Sequence, residues 1–197
     1  MGRRYGVPFL ILALGLVAVP AAVFAGVPDP LLSTIPNVIG SPDGGLPYRV
    51  TIVGTSGPID SANVTLVWTV AGDTATCWCT AQTHPSVSSS TNASGIAVFT
   101  LRLGRCLNPA TIPGGVAIEV FVNSIKIKEV GQVSPDVFTG GALGPPCVAG
   151  VSDAIQFTFP LATGTYGFCF DLNSDGTVGL SDATLVTAPL ATAATCN

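Results

Sequence analysis

Near its carboxyl terminus the chain reads Asp171-Leu172-Asn173-Ser174-Asp175-Gly176-Thr177-Val178-Gly179-Leu180-Ser181-Asp182. Oxygen-bearing side chains stand at positions 1, 3, 5 and 12 of this stretch, and a glycine stands at position 6. Calcium is a hard cation that prefers six to eight oxygen ligands, and this is the spacing of a twelve-residue calcium loop. The sequence therefore predicts a calcium site whose ligands are Asp171, Asn173, Asp175, Asp182 and the backbone carbonyl of Thr177.

Gly176 supports this prediction, because the sharp turn at position 6 needs a positive φ that glycine adopts at little cost. Position 9 is Gly179, so a water molecule is expected to complete the coordination there. Asp182 closes the loop where a longer Glu is usual. The alternative is a polar turn that binds no metal. Four spaced ligands and the glycine together favour the calcium loop.

The predicted loop belongs to a repeated unit. Residues 150–163 and 179–192 are identical at nine of fourteen positions, with a constant offset of 29. Self-similarity at a fixed offset indicates a duplication. In each copy the closing Asp precedes a short segment that we expect to be helical until a proline ends it, Pro160 in the first copy and Pro189 in the second.

The first copy has lost most of its ligands. Residues 142–149 contain no carboxylate, and Asp136 would contribute only through a longer loop. Tandem loop–helix units that close with Asp resemble dockerin modules, the calcium-binding partners of cohesins in secreted bacterial assemblies. The resemblance covers residues 134–197. It implies calcium binding by the loop ligands named above and a cohesin-type partner, and it assigns no docking residue.

The amino terminus has the pattern of a secretory signal peptide over residues 1–25. Arg3 and Arg4 form the charged start, Val7–Val19 is the apolar run, and small residues precede a cleavage position after Ala25. The alternative is an uncleaved membrane anchor. With cleavage the protein is secreted, and we expect no membrane association of the mature chain.

Composition narrows the class of partner. Removal of the leader leaves 172 residues (197 − 25), with five basic residues against eleven acidic ones. This acidic balance argues against nucleic acid and anionic membranes as partners. Charged residues form only 9% of the chain, against about 25% in typical soluble domains. Three explanations fit a surface with so few charges: burial against other copies, a glycan coat, or solubility that Ser, Thr and Gly provide alone.

Six cysteines follow the leader: Cys77, Cys79, Cys106, Cys147, Cys169 and Cys196. An even number in a secreted chain indicates up to three disulfides, and the sequence alone does not choose among the pairings. We favour one bridge from Cys77 or Cys79 to Cys106, and one from Cys169 to Cys196. The alternative for Cys77 and Cys79 is a metal or redox site.

The middle of the chain is expected to be a β-sandwich. Residues 26–45 are rich in Pro and Gly and predict an extended arm. Five runs rich in β-branched and aromatic residues then follow, separated by turn signals. The runs are Tyr48–Val53, Asn63–Val70, Ile96–Leu103, Val116–Val122 and Ile125–Val130. Between them, residues 80–91 are expected to form a Ser/Thr-rich loop. Strands at this spacing are typical of an Ig-like sandwich.

Residues 46–135 also resemble the bacterial Ig-like domains of invasins and related surface proteins. The residues that carry the resemblance are Ser61–Leu66, Thr91–Ala97 and the paired segments around Asn123 and Ser124. The resemblance implies an extracellular structural or adhesive module. The predicted fold is thus mainly β, with an Ig-like sandwich over residues 46–133 and a dockerin-like calcium module over 134–197.

The sequence gives little support for an enzyme. His84 is the only histidine, and Glu119 and Glu129 are the only glutamates. A hydrolase triad would need a nucleophile and an acid beside that histidine. An Asp-based glycosidase pair is the remaining catalytic alternative. We therefore predict no catalytic residues, no organic cofactor and calcium as the only ligand ion.

Three functional hypotheses follow from these patterns. The first is a non-enzymatic subunit of an extracellular filament or surface assembly, stabilised by calcium and joined to other copies by strand donation from the arm. The second is an adhesin or carbohydrate-binding module that a dockerin-like tail attaches to a cohesin-type scaffold. The third is an extracellular hydrolase.

Overall fold

The computed structural model describes residues 26–137, 147–191 and 194–196. The expected signal peptide and residues 142–146 of the first repeat lie outside these ranges. The fold is mainly β, with 32% strand against 21% helix, which confirms the predicted class. Within the described ranges no helix combines the length and the apolar character needed to cross a bilayer.

The strands, in chain order, are β1 (Val38–Ile39), β2 (Pro47–Thr51), β3 (Val53–Gly54), β4 (Gly57–Pro58), β5 (Asn63–Trp68), β6 (Cys77–Trp78), β7 (Ser86–Ser90), β8 (Ile96–Thr100), β9 (Leu103–Gly104), β10 (Ile118–Val122), β11 (Ile125–Val130) and β12 (Gln132–Val133). The helices are α1 (Val70–Ala75), α2 (Val151–Thr163) and α3 (Leu180–Ala191), with a 3₁₀ turn at Phe168–Phe170.

The largest sheet has the strand order β11-β10-β5-β7 and is antiparallel throughout. The antiparallel pair β2–β8 shares one apolar core with this sheet. Because side chains alternate between the faces of a strand, Val64, Leu66 and Trp68 of β5 are buried while the residues between them face outward. We call residues 26–133, which hold the twelve strands of the described residues, the β body.

Polar groups in this core are paired. The hydroxyl of Tyr48 donates to the carbonyl of Pro36 at 2.9 Å, and burial raises the pKa of Tyr48. The indole N–H of Trp68 donates to Oε1 of Gln132 at 2.8 Å, and the Gln132 amide donates to the carbonyl of Gly104 at 3.0 Å. A buried amide with these partners avoids the cost of an unpaired polar group.

The predicted arm is extended, but it packs on the chain's own β body. Thr34 forms a bridge with Thr51, and β1 pairs in parallel with β12. Ile35 and Val38 are buried in the core, at 2% and 0% exposure. The part of the arm from Ile35 onward is therefore packed within the same molecule, whereas Leu31 and Leu32 remain exposed.

Residues 134–197, which we call the tail module, contain α2, α3 and the predicted calcium loop. Their apolar cluster has five buried members: Val133, Phe157, Leu172, Val178 and Val186. Val133 belongs to β12, and Ile39 of β1 packs against the same cluster. The core of the tail module is thus completed by the β body.

The disulfide pairing that we favoured is wrong. The bonded pairs are Cys77–Cys147, Cys79–Cys196 and Cys106–Cys169. Each bond joins the β body to the tail module. Cys77 and Cys79 are two residues apart in extended chain, so both side chains leave the same side and reach the tail module together.

Three local predictions also need correction. Pro160 and Pro189 lie inside α2 and α3 rather than at their ends. Both prolines are buried near the last helical turn, where a proline removes only one backbone hydrogen bond of the helix. Ser86–Ser90 forms the edge strand β7 instead of a loop, since pairing with β5 satisfies its backbone. The second strand run ends at Trp68, because Thr69 caps α1 by accepting the N–H of Gly72.

We expect peptide mapping of the non-reduced protein to return the three pairs above. Cleavage after Trp78 separates Cys77 from Cys79, so mass spectrometry assigns each bond. The double variant Cys106→Ser/Cys169→Ser should lose about 2–4 kcal/mol of unfolding free energy, because it releases a long closed loop. A Cys169–Cys196 bond in the map would contradict the structure.

Candidate metal site

The predicted calcium loop is a compact turn centred on Gly176. Its φ is +86°, as the sharp turn at position 6 requires. The Asp171 carboxylate is buried at the start of the loop and accepts the N–H of Asp175 at 3.0 Å and that of Gly176 at 3.0 Å. Partial burial and the Asp171 carboxylate raise the pKa of the neighbouring Tyr166.

Hydrogen bonds connect the predicted ligands Asn173, Asp175 and Thr177 in the middle of the loop. The hydroxyl and the N–H of Thr177 both donate to Oδ1 of Asp175, at 2.6 and 2.9 Å. The Asn173 amide donates to Oδ2 of Asp175 at 2.8 Å. Hydrogen bonds from the Thr177 side chain first, and then from Asn173, lower the pKa of Asp175. The carboxylate therefore stays ionised into mildly acidic solution.

Asp182 connects the two ends of the loop by hydrogen bonds. Its Oδ1 accepts the N–H of Leu172 at 2.8 Å and that of Asn173 at 3.1 Å, and its Oδ2 accepts the N–H of Gly179 at 2.9 Å. Asp182 is completely buried and lies in the first turn of α3, where a negative charge suits the helix dipole.

The first repeat contains the same connection. Oδ2 of Asp153 accepts the N–H of Gly150 at 2.9 Å, and its Oδ1 accepts the N–H of Val137 at 3.1 Å. Val137 therefore corresponds to Leu172, and Asp136 corresponds to Asp171. Asp136 and Asp171 are each 3% exposed. This loop runs from 136 to 153 and is six residues longer than 171–182. The constant offset of the repeat stops at this insertion, so Asp136 enters the sequence prediction only as a residue that needs a longer loop.

The predicted calcium loop contacts the β body through Ser174. The N–H of Asn37 donates to the Ser174 hydroxyl at 3.2 Å, and Oδ1 of Asn37 accepts the N–H of Gly131 at 3.0 Å. Asn37 and Asn173 both line two cavities, one of about 260 Å³ and one of about 510 Å³. The loop thus forms part of the seam between the β body and the tail module.

The donor set suits a hard cation, because all five predicted ligands offer oxygen and residues 171–182 carry three carboxylates and no basic residue. The loop carboxylates bond to backbone N–H groups instead of converging. In the described ranges, the one set of three Asp, Glu, His or Cys residues whose ligand atoms all lie within 4.8 Å of one another is Cys79, Cys147 and Cys196. Those sulfurs belong to two adjacent disulfides, which explains their proximity without a metal.

His84 forms a small aromatic site away from the loop. Its Nδ1 lies 3.0 Å from Oδ1 of Asp73, and its ring stacks on Trp78 at 5.0 Å between centroids. In the parts of the chain that the structure describes, no Ser, Thr or Cys side chain hydrogen-bonds to His84. Glu119 and Glu129 both bind Lys126, at 3.0 and 2.8 Å. These groups act in local contacts of the β body.

Comparison of the chain with protein-family models, with curated proteins and with solved structures finds no match. The fold and the loop geometry therefore carry the functional argument.

Asp182→Ala should lower the unfolding free energy by about 3 kcal/mol, because it removes a charged acceptor from three backbone N–H groups. Ser181→Ala is the matched control, since Ser181 is exposed in the same helical turn, and its effect should stay within about 0.5 kcal/mol. Denaturant unfolding in the presence of a chelator measures both variants without any contribution from metal. Equal effects of the two substitutions would contradict this role of Asp182.

Proposed function

We propose that this chain is a secreted, non-enzymatic structural subunit of an extracellular assembly, that it binds one calcium ion in the loop 171–182, and that it associates with other copies of itself. One observation carries the proposal. The oxygen-rich loop lies at a seam where three disulfides fix the tail module to the β body.

Calcium would be held by Asp171, Asn173, Asp175, Asp182 and the carbonyl of Thr177. The ion supplies an electrostatic cross-link among side chains that repel one another without it. Asp171 and Asp182 orient the loop by accepting backbone N–H groups from both of its ends. Loss of the ion is therefore expected to loosen the loop first and the remainder of the tail module only slightly.

Calcium binding would also stiffen the seam. The side chain of Leu172 is 2% exposed within the cluster that includes Val133 of the β body. Ser174 accepts a hydrogen bond from Asn37 of the arm. Restricting the loop restricts both contacts, so an extracellular level of calcium would select one relative position of the two parts.

The layered β body supports a structural role. Two antiparallel layers around a single core are consistent with the Ig-like interpretation. Asp175 and Asp182 bond within the loop, and Lys126 pairs with both Glu119 and Glu129. The low charge of the chain, 9% of residues, favours burial of part of its surface against other copies. Because the arm is packed on its own core, we propose self-association through another surface.

The second candidate is attachment to a cohesin-type scaffold. It draws on the exposed face of α2, where Ile155 and Phe159 are 66% and 67% exposed. The three disulfides count against it, since a tail module locked to the β body is less suited to act as a separate adaptor. We therefore place self-association first.

Calcium binding is tested by calorimetry and by thermal unfolding. We expect a dissociation constant of about 10⁻⁴–10⁻³ M, as in other extracellular calcium modules. Ligand binding to the native state alone adds about 2.7 kcal/mol at one hundred times the dissociation constant. Asp171→Ala should abolish this gain, whereas Asp60→Asn, an exposed control in the β body, should retain it. If calorimetry of the unsubstituted protein detects no binding heat at millimolar calcium, the loop 171–182 is not a calcium site.

Assembly is tested by electron microscopy of the native secreted material, with and without chelator. We expect ordered fibres or sheets in calcium, and shortened or disordered ones after chelation. Fully dispersed particles in calcium would contradict the structural role, and capture of a cohesin-type domain by such particles would favour the second candidate.

A further inference from the structure

Two of the three disulfides are close neighbours. The sulfur atoms of Cys79, Cys147 and Cys196 all lie within 4.8 Å of one another. Within this set only Cys79 and Cys196 are bonded, because Cys147 is bonded to Cys77. The sulfur of Cys147 therefore lies beside a disulfide to which it does not belong. We call these four residues the cysteine cluster.

Backbone pairing holds the cysteine cluster together on both sides of the seam. Val148 and Thr195 form an isolated antiparallel bridge, so Cys147 and Cys196, which flank it, lie on neighbouring segments of the tail module. On the β body, Cys79 directly follows β6, which pairs with β9. The short distance among the three sulfurs thus rests on paired backbone in both parts of the molecule.

Each disulfide joins a buried cysteine to a partly exposed one. The buried cysteines and their exposed fractions are Cys79 (1%), Cys147 (4%) and Cys106 (7%). Their respective partners, all partly exposed, are Cys196, Cys77 and Cys169. A dissolved thiol has easier access to the partly exposed cysteine of each bond, and attack there displaces the buried sulfur as a thiolate.

The three bonds differ in what surrounds the displaced sulfur. Cys79 and Cys147 each lie within reach of the other disulfide of the cysteine cluster. The Cys106–Cys169 bond belongs to no such set of three sulfurs in the ranges that the structure describes. Two bonds with the same pattern of burial as the third therefore have a neighbour with which they can exchange.

We propose that the two disulfides of the cysteine cluster exchange with each other when a low-molecular-weight thiol attacks either of them, and that the product is a Cys79–Cys147 bond. The inference depends neither on calcium binding nor on self-association. Thiol–disulfide exchange needs only a thiolate and an accessible disulfide, and a thiolate held beside the second disulfide reacts without diffusion.

The first route begins at Cys196. The small thiolate bonds to the Cys196 sulfur, the Cys79–Cys196 bond breaks, and Cys79 leaves as a thiolate. Cys79 then bonds to the Cys147 sulfur and displaces Cys77, which takes up the proton that the small thiol lost. Two disulfides are present before and after, because the mixed disulfide on Cys196 replaces the bond that was opened.

The second route begins at Cys77 and reaches the same bond. Attack on the Cys77 sulfur displaces Cys147, which bonds to the Cys79 sulfur and displaces Cys196. The small thiol is now bonded to Cys77, and Cys196 carries the proton. Neither route needs an oxidant or a second reductant, since each step exchanges one sulfur for another.

The new bond preserves the connection across the seam. Cys79 belongs to the β body and Cys147 to the tail module, so their bond joins the same two parts as the bonds that it replaces. Both cysteines are buried, so a dissolved thiol attacks this bond less readily than either original one. Exposure to thiol therefore releases Cys77 or Cys196 while the tail module stays attached.

Peptide mapping after mild thiol treatment tests the exchange. The folded full chain is incubated with millimolar reduced glutathione at about pH 8, quenched with acid, blocked with N-ethylmaleimide and cleaved after Trp78. We expect a Cys79–Cys147 bond, with glutathione on Cys196 or Cys77. The Cys106–Cys169 bond should return unchanged or open without a new partner.

A matched pair of variants tests the proximity without an added thiol. Cys77→Ser leaves Cys147 free beside the Cys79–Cys196 bond, and at least about a tenth of the molecules should then contain Cys79–Cys147. Cys106→Ser is the control, because it also opens one bond and leaves one free cysteine. In the control Cys169 should remain a free thiol, and the other two pairs should be those of the unsubstituted chain.

Four results would overturn the inference. Glutathione treatment could leave all three bonds intact, or give only mixed disulfides and free thiols without Cys79–Cys147. It could instead link the cysteine cluster to Cys106 or Cys169, which requires unfolding rather than local exchange. In Cys77→Ser, Cys147 could stay free or pair only with Cys196, within the tail module, which would lose the connection to the β body.

Discussion

Each of the three disulfide bonds joins the β body to the tail module, and the position of the loop 171–182 depends on this constraint. The tail module has five buried apolar residues in its cluster, one of which belongs to the β body. So small a core supplies little stability by itself. Cross-links that close loops of 63 to 117 residues restrict the unfolded chain strongly. The disulfides therefore hold the loop in position although the apolar core of the tail module is small.

The sequence predicted what depends on local chemistry. Alternation of apolar residues identified the main strands, and glycine at position 6 identified the turn in which Gly176 has a positive φ. It did not predict features that depend on distant contacts. Cys106 pairs with Cys169 because the tail module packs against the end of the β body, and spacing along the chain carries no record of that packing. Ser86–Ser90 is a strand because β5 offers it a partner.

The duplicated unit shows which positions the fold constrains. Asp153 and Asp182 make the same connection across their loops, and both are buried. The insertion between Asp136 and Asp153 lengthens the first loop without removing that connection. The buried prolines are also retained in both helices. Burial alone does not decide which positions are retained, because the buried Phe157 corresponds to the buried Val186, whereas the exposed Thr158 is identical to Thr187. The two copies keep the closing Asp, the proline and the connection across the loop.

Disulfides and calcium would stabilise this structure in different ways. The disulfides act largely by restricting the unfolded chain, and their effect persists at any calcium concentration. A bound ion stabilises the native loop alone, in proportion to the logarithm of its concentration. Chelation would then release the contact between Ser174 and Asn37 while the three covalent bonds hold the two parts together. With calcium bound as proposed, the seam would become stiffer without the two parts separating, which suits the proposed structural role.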